Sequence, residues 1–301
     1  MSDEGFAYVD GDYFPLDQAK ISVFDRGFIH SDVVYDVTST WRGRFFRLDE
    51  HIARFQRSCA GVRITCRHST AELKTILANC VVKGGVSEGS YVALVATRGP
   101  YDRNIDRTRD VFGATPSFIA YACAYVSIGD EAQLARGFNV IIAKTPRIPD
   151  ACVDMTIKNY HWGDLTRGKF EAQAAGADTA VHCTIDGFLT EGPGFNLFFV
   201  RGGRLYTPAR NVLHGITRLS VIDMAKEMDI PCETGDYRAN ALLEAEEAFV
   251  TSTAGGIMAV SRVDDRTYPS AQAGSMTDRL RKEYWRRRDA GWLGTKVESL
   301  L

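Results

Sequence analysis

The chain has 301 residues, and its 36 lysines and arginines against 38 aspartates and glutamates leave a formal charge of −2 at neutral pH. That balance excludes a general nucleic-acid binder, which needs a cationic surplus to release counterions; 45% hydrophobic and 25% charged residues exclude a disordered chain. No uninterrupted apolar run of about 18 residues is present to span a bilayer, and the acidic start MSDEGFAYVDG has no basic-then-apolar signal pattern, so the expected address is the cytoplasm.

At roughly 150 residues per domain the length suggests two domains. Phe6–Phe14 reads as a hairpin around Asp10-Gly11. Val34–Trp41 and Arg44–Leu48 read as strands joined at Arg42-Gly43, and Asp49 as the N-cap of a helix over Glu50–Ala60 whose Ile52, Phe55 and Cys59 share a face. Ser69 or Thr70 caps a second helix to about Lys83, ended at Gly84-Gly85. The β-branched and aromatic runs Tyr91–Thr97 and Phe118–Ile128 read as strands. The polar stretch SIGDEAQLARG then separates two apolar strands. It sets the expected division: 1–127, a linking loop 128–137, and 138–301. Phe138–Lys144, Ala180–Thr184, Phe195–Val200 and Arg204–Tyr206 read as strands, and helices follow over Thr217–Met228, Ala239–Ala245 and near the C-terminus. Strands and helices come in clusters rather than in strict alternation, which favours α+β over a doubly wound α/β sheet.

Seven cysteines are scattered, odd in number and without a C-x-x-C pair, which argues against a disulfide framework or a zinc site. Five other clusters bear chemistry. Lys158, in DMTIKNYHWGDLTRG, follows an apolar segment and precedes an aromatic-rich helical pattern. Desolvation there lowers an amine from about 10.4 toward neutrality, as carbonyl chemistry requires. Glu191 lies in LTEGPGFNLFFV, where glycines flank a proline just before a strand. It is either a pocket carboxylate needing a cationic partner or a turn carboxylate bonded to nearby N–H groups. In LHGITRLSV a helix begins after Gly215, so Thr217 is either a simple cap or part of a phosphate site. TSTAGGIMAV offers Thr251, Ser252 and Thr253 beside Ala254 and two glycines, suited to an anion or an ordinary turn. Arg54, one turn after His51, is placed to grip a phosphate or simply to meet solvent.

In their order and spacing, Arg54, Lys158, TEGPGFN, GIT and TSTAGG resemble the class IV pyridoxal-phosphate aminotransferases, the group of branched-chain and D-amino-acid transaminases, from about Phe6 to Val260. FIHSDVVYDVTSTWRGRFFRLDEHI, TIKNYHWGDLTRG, LTEGPGFN and TAGGIM are most similar to the (R)-selective amine transaminases. Trp162-Gly163 stands where branched-chain members usually place a tyrosine after the lysine.

The resemblance implies the fold-type IV architecture of two α/β domains, pyridoxal 5'-phosphate in the crevice between them, and a homodimer. It implies Lys158 as the Schiff-base lysine and Glu191 as partner of the ring nitrogen. Arg54, Ile216, Thr217 and Thr253 become the phosphate holders. His30, Tyr35, Tyr121, Trp162 and Ala254 match the substrate pocket, and Arg136 the mobile arginine that accepts a keto acid's carboxylate. The implied reaction moves an amino group from a hydrophobic (R)-amine to a keto acid such as pyruvate. Transamination of branched-chain or D-amino acids stays open beside it, as does, further off, an aminodeoxychorismate lyase. A binding protein using the basic run RLRKEYWRRR is the non-enzymatic alternative.

Overall fold

Asp10 and Gly11 take positive φ angles of 46° and 127° and turn β1 (Gly5–Val9) back onto β2 (Asp12–Pro15). The computed structural model describes residues 5–100 and 114–301. They fall into two compact units: one runs to Val126 and takes in Ile157–Tyr160 and Arg288–Leu301, the other comprises Ser127–Thr156 and His161–Arg287. Ile157–Tyr160 and the C-terminal tail fold with the first unit because strand residues of that unit pair with them: Val34 bridges to Asn159, and Arg44–Phe46 pairs with Gly294–Lys296.

In the first unit, α1 (Arg26–His30), β3 (Val33–Trp41), β4 (Arg44–Phe46), α2 (Leu48–Gly61), α3 (Thr70–Lys83), β5 (Gly89–Thr97) and β6 (Ser117–Ala124) follow the hairpin. The sheet is antiparallel throughout, in the order Gly294–Lys296, β4, β3, β5, β6, β1, β2. One face is packed by α2 and α3 around Ile52, Phe55, Leu73, Leu77 and Leu94, all fully buried. The opposite face carries Val33, Tyr35, Val37, Ala93 and Val95 with Tyr91 and Tyr121. Strand alternation sends Val34, Asp36, Thr38 and Thr40 to the helix side, all fully buried, and Tyr35 to the other.

Two local expectations give way. Helix α2 starts at Leu48, with left-handed Arg47 as N-cap and no side-chain cap. Burying Leu48 draws it into the first turn, and Asp49 and Glu50 sit there as dipole-complementing acids. The polar stretch is not all loop: Asp130 and Gln133 form a capping box on a short helix, α4 (Glu131–Arg136).

The second unit continues with β7 (Phe138–Ile142), α5 (Gly163–Ala174), β8 (Thr179–Val181), β9 (Glu191–Gly192), β10 (Phe195–Arg201), β11 (Arg204–Pro208), α6 (Ile216–Glu227), β12 (Cys232–Gly235), α7 (Ala239–Leu243), β13 (Glu247–Ser252), β14 (Gly256–Val263), β15 (Arg266–Thr267) and α8 (Met276–Asp289). Its mixed sheet runs β12, β11, β10, β13, β14, β7, β8, with β9 on β10 and β15 on β14. Both units are α+β around a sheet. All seven cysteines are free thiols. Among the described residues no helix is long and apolar enough to cross a membrane, and no cluster of histidine, cysteine and acid is placed to hold a metal.

Phe55 packs fully buried against Phe118, with ring centroids 5.9 Å apart. Phe55→Ala is expected to cost about 3–5 kcal/mol, seen as an earlier urea midpoint; an unchanged midpoint would mean that α2 does not depend on this core.

Candidate active site

In the first unit the backbone of residues 157–160 lies along the start of β3, which β4 leaves open there. The Tyr35 N–H donates to the Lys158 carbonyl at 3.0 Å, Val34 bridges to Asn159, and the Lys158 N–H donates to Ser58 Oγ on α2 at 3.2 Å. Gly61 makes room for this segment: a Cβ there would come within 2.5 Å of Ile157 Cδ1. The half-buried Lys158 carries its Nζ 4.3 Å from the centre of the Tyr35 ring, a cation–π distance. Tyr35 packs on Tyr160 at 4.4 Å, and Tyr91 and Tyr121 stack at 6.3 Å on the same sheet face. Burial and their neighbours push the Tyr91 and Tyr121 phenols up, so they stay neutral.

On the other face, Asp36 is fully buried and accepts from Arg54 Nε at 2.7 Å, Arg54 Nη2 at 2.8 Å and His51 Nδ1 at 2.7 Å. Burial alone would raise its pKa. The Arg54 charge and the bonds from His51 and Arg54 reverse that and hold the carboxyl well below the usual carboxylate range. An ionised Asp36 is acceptor-only, so His51 donates from Nδ1. Burial lowers His51, and the charges of Arg54 and Lys158 add to this against the pull of Asp36; the imidazole stays neutral.

In the second unit the buried Glu191 is surrounded by donors. Arg147 Nη2 donates to Oε1 at 3.1 Å, while Asn196 Nδ2 and the Leu213 N–H each donate to Oε2 at 3.0 Å. Arg147 is itself fixed by Asp164, whose other contacts are the N–H groups of Ile148 and Leu165. The glycines of the bend have separate reasons. A Cβ on Gly192 would lie 2.2 Å from Phe195 Cζ and 2.4 Å from the Ala180 carbonyl, while Gly194 takes φ +85° against Trp162. A Cβ on Gly215 would meet Asn196 Oδ1 at 2.0 Å. Gly215, not Thr217, is the N-cap of α6. The buried Thr251 Oγ1, cross-strand from Asn196, has no hydrogen-bond partner among the described residues. A donor-enclosed carboxylate, a helix start and the spare Thr251 hydroxyl are what this unit offers to a cationic N–H and to an anion.

Residues 33–263 match the family model for amino-transferase class IV. The chain belongs to the class IV aminotransferases. It is 29% identical over 279 residues, 92% of this chain and 94% of the other, to a putative branched-chain-amino-acid aminotransferase of Methanocaldococcus jannaschii. It is 31% identical over 262 residues, 86% and 89% of the two chains, to a D-alanine aminotransferase of Bacillus licheniformis. The fold is similar to that of the T.th. branched-chain amino acid aminotransferase solved with pyridoxamine 5'-phosphate, at TM-score 0.89 and 26% identity, covering 98% and 99% of the chains. The architecture is the fold-type IV one, and the protein is a pyridoxal-phosphate-dependent transaminase.

Taken unit by unit, the residues of this aminotransferase fit such a cofactor: the first unit offers a lysine amine, and the second a buried donor-rich carboxylate and an unpartnered Thr251 hydroxyl. Lys158, Arg54, Tyr35 and Tyr121 lie in the first unit with an exposed His30. Glu191, Ile216, Thr217, Thr253, Trp162 and Ala254 lie in the second. Arg136, expected as a mobile arginine, is instead tied through two nitrogens to Asp178 and through Nη1 also to the Gly137 carbonyl. The sequence reading passed over Asp36, Arg147 and Asp164. An acid within the apolar run VVYDVTSTW, on its helix-facing side, was a signal for Asp36; Arg147, in an irregular loop, left none.

Because the folded state holds His51 neutral while the unfolded chain titrates near 6.5, acidification favours unfolding. Stability is expected to fall as pH drops below about 6.5, by up to about 1.4 kcal/mol per pH unit for each such histidine. The buried His182, also lowered by burial, adds to the effect. His51→Gln should flatten this slope in thermal melts between about pH 5 and 6.5; an unaltered slope would show that His51 is already charged. Loss of the Asp36 contribution belongs to a lower window, below about pH 4.

Proposed function

We propose that this aminotransferase takes the amino group of a hydrophobic (R)-configured primary amine and delivers it to a keto acid such as pyruvate. The observation that carries this reading is the aromatic face of the first unit, where Tyr35, Tyr91, Tyr121 and Tyr160 gather on the side that holds the Lys158 amine. Neutral phenol rings suit an aryl or alkyl group better than a second carboxylate. Arg98, a cation at the end of β5, is committed to Asp32 and to the carbonyls of Val62 and Arg63. The configuration rests on the likeness of TIKNYHWGDLTRG and its companion stretches to (R)-selective enzymes.

Pyridoxal phosphate, when bound, supplies an aldehyde that condenses with amines and a ring that takes up the electrons of the broken C–H bond. Lys158 Nζ would be the covalent attachment point and, as a free amine, the group that takes up and returns a proton. Glu191, enclosed by the Arg147, Asn196 and Leu213 donors, would face the ring nitrogen and hold the proton there. Arg54, Thr253, the Thr217 hydroxyl and the N–H groups of Ile216 and Thr217 hold the phosphate. Tyr35, Tyr121, His30, Trp162 and Ala254 form the substrate walls; Arg136 would meet the keto acid by exchanging Asp178 for its carboxylate. We take the working form to be a cytoplasmic homodimer. The exposed Ile21, Val23 and Phe28, at 50%, 66% and 66%, offer an apolar surface for a second copy.

A second reading, transamination of branched-chain or D-amino acids, is favoured by the relatives, which are aminotransferases of those two kinds.

With 2-oxobutyrate as the common acceptor, (R)-1-phenylethylamine is expected to outpace its (S) form, D-alanine and L-leucine by about tenfold or more. A lead for either amino acid puts the second reading in place of the first. Lys158→Ala is expected to abolish turnover and, after borohydride reduction and peptide mapping, to lose the label that the wild type carries on Lys158. Label on another lysine, or none in the wild type, removes the assignment.

A further inference from the structure

Asp36 is a carboxylate in a place that disfavours one. It lies in the middle of β3, on the face covered by α2, fully buried beside Val34 and Thr38. Taking such a group out of water costs several kcal/mol unless its oxygens are well matched. Here each oxygen is matched: Oδ1 accepts from His51 Nδ1, Arg54 Nη2 and the Val37 N–H, and Oδ2 from Arg54 Nε. The two parallel bonds to Arg54 use one edge of the guanidinium, which fixes its plane as well as its position. His51 and Arg54 lie one helical turn apart on α2 and so reach the same carboxylate.

We propose that Asp36 is a positioning residue for the cofactor's phosphate, acting through Arg54. An arginine has several side-chain torsions, whose freedom a ligand must otherwise freeze. The bidentate contact with Asp36 removes that freedom beforehand, so the direction of the remaining N–H groups is set by the strand rather than by the arginine's own rotamers. His51 holds the second side of Oδ1 and keeps the carboxylate from turning. The inference rests on the assignment of Arg54 to the phosphate given above.

The test compares pyridoxal phosphate with pyridoxal, which has the same aldehyde and ring and no phosphate. The full chain is stripped of cofactor and titrated with each, and the ratio of the two dissociation constants reads the phosphate's share of binding. Asp36→Asn is expected to lower that ratio about tenfold or more, with pyridoxal binding nearly unchanged. Arg54→Met should do the same. The double variant Asp36→Asn/Arg54→Met, which buries no uncompensated ion, should match Arg54→Met alone.

A wild-type ratio in Asp36→Asn overturns the inference. So does a further loss on adding Asp36→Asn to Arg54→Met, since the aspartate would then act by another route, and so does an equal loss of both ligands, which marks a purely structural role. If Arg54→Met itself keeps the wild-type ratio, the assignment of Arg54 to the phosphate fails first, and the inference with it. Should Asp36→Asn not accumulate as folded protein, Asp36→Glu serves. It keeps the charge but displaces it by a methylene, and a ratio lowered several-fold is expected; an unaltered ratio counts against the proposal.

Discussion

A carboxylate buried away from water has to be enclosed by donors, and that requirement organises both units. Asp36 in the first and Glu191 in the second each lie below about a tenth exposed. Each takes bonds from an arginine and from at least one further donor. The cost of desolvating such ions is offset only when geometry is good and the remaining lone pairs are filled. Loop and helix positions around them are therefore narrowly fixed: α2 must present His51 and Arg54 one turn apart, and the chain at Leu213 must turn its N–H inward.

The second unit shows how backbone composition serves that constraint. Glu191 is brought to Asn196 because Gly192 can approach Phe195 and the Ala180 carbonyl, and because Gly194 accepts a left-handed φ. Gly215 then lets α6 begin against the Asn196 amide, which also holds the Leu213 carbonyl. One amide thus ties the acid, the loop before the helix and the helix start together. A larger residue at Gly192 or Gly215 would collide with Phe195 or the Asn196 amide, and one at Gly194 would be strained at its φ of +85°.

Much of this was legible in the sequence because it depends on local chemistry. Turn glycines and the cap at Ser69 are written in adjacent residues. So is the E-G-x-G-x-N pattern around Glu191. What escaped is what depends on distant pairing. Leu48 enters α2 because a core receives it, which no cap residue announces. Arg147 reaches Asp164 and Glu191 across 17 and 44 positions, and no periodicity links them. The residues around Lys158 follow a sequence that reads as part of the second half, yet they join the first unit because β3 has an unfilled edge at Val34 and Tyr35.

That edge has a consequence for chemistry. Successive residues of β3 point to opposite faces, so Tyr35 faces the lysine amine while Asp36, its neighbour, faces α2 and Arg54. The backbone of Lys158 is bonded to both sides of this arrangement, to the Tyr35 N–H on the strand and to Ser58 Oγ on the helix. The position of the amine and the position of the guanidinium are therefore referenced to the same two residues of the same strand. A one-residue slip of β3 would move an aromatic ring to the helix side and the carboxylate to the aromatic side, burying an ion among phenols. The register of nine paired positions between β3 and β5 resists that slip, so the placement of the amine and of the guanidinium derives from the sheet rather than from the loop on which the lysine lies.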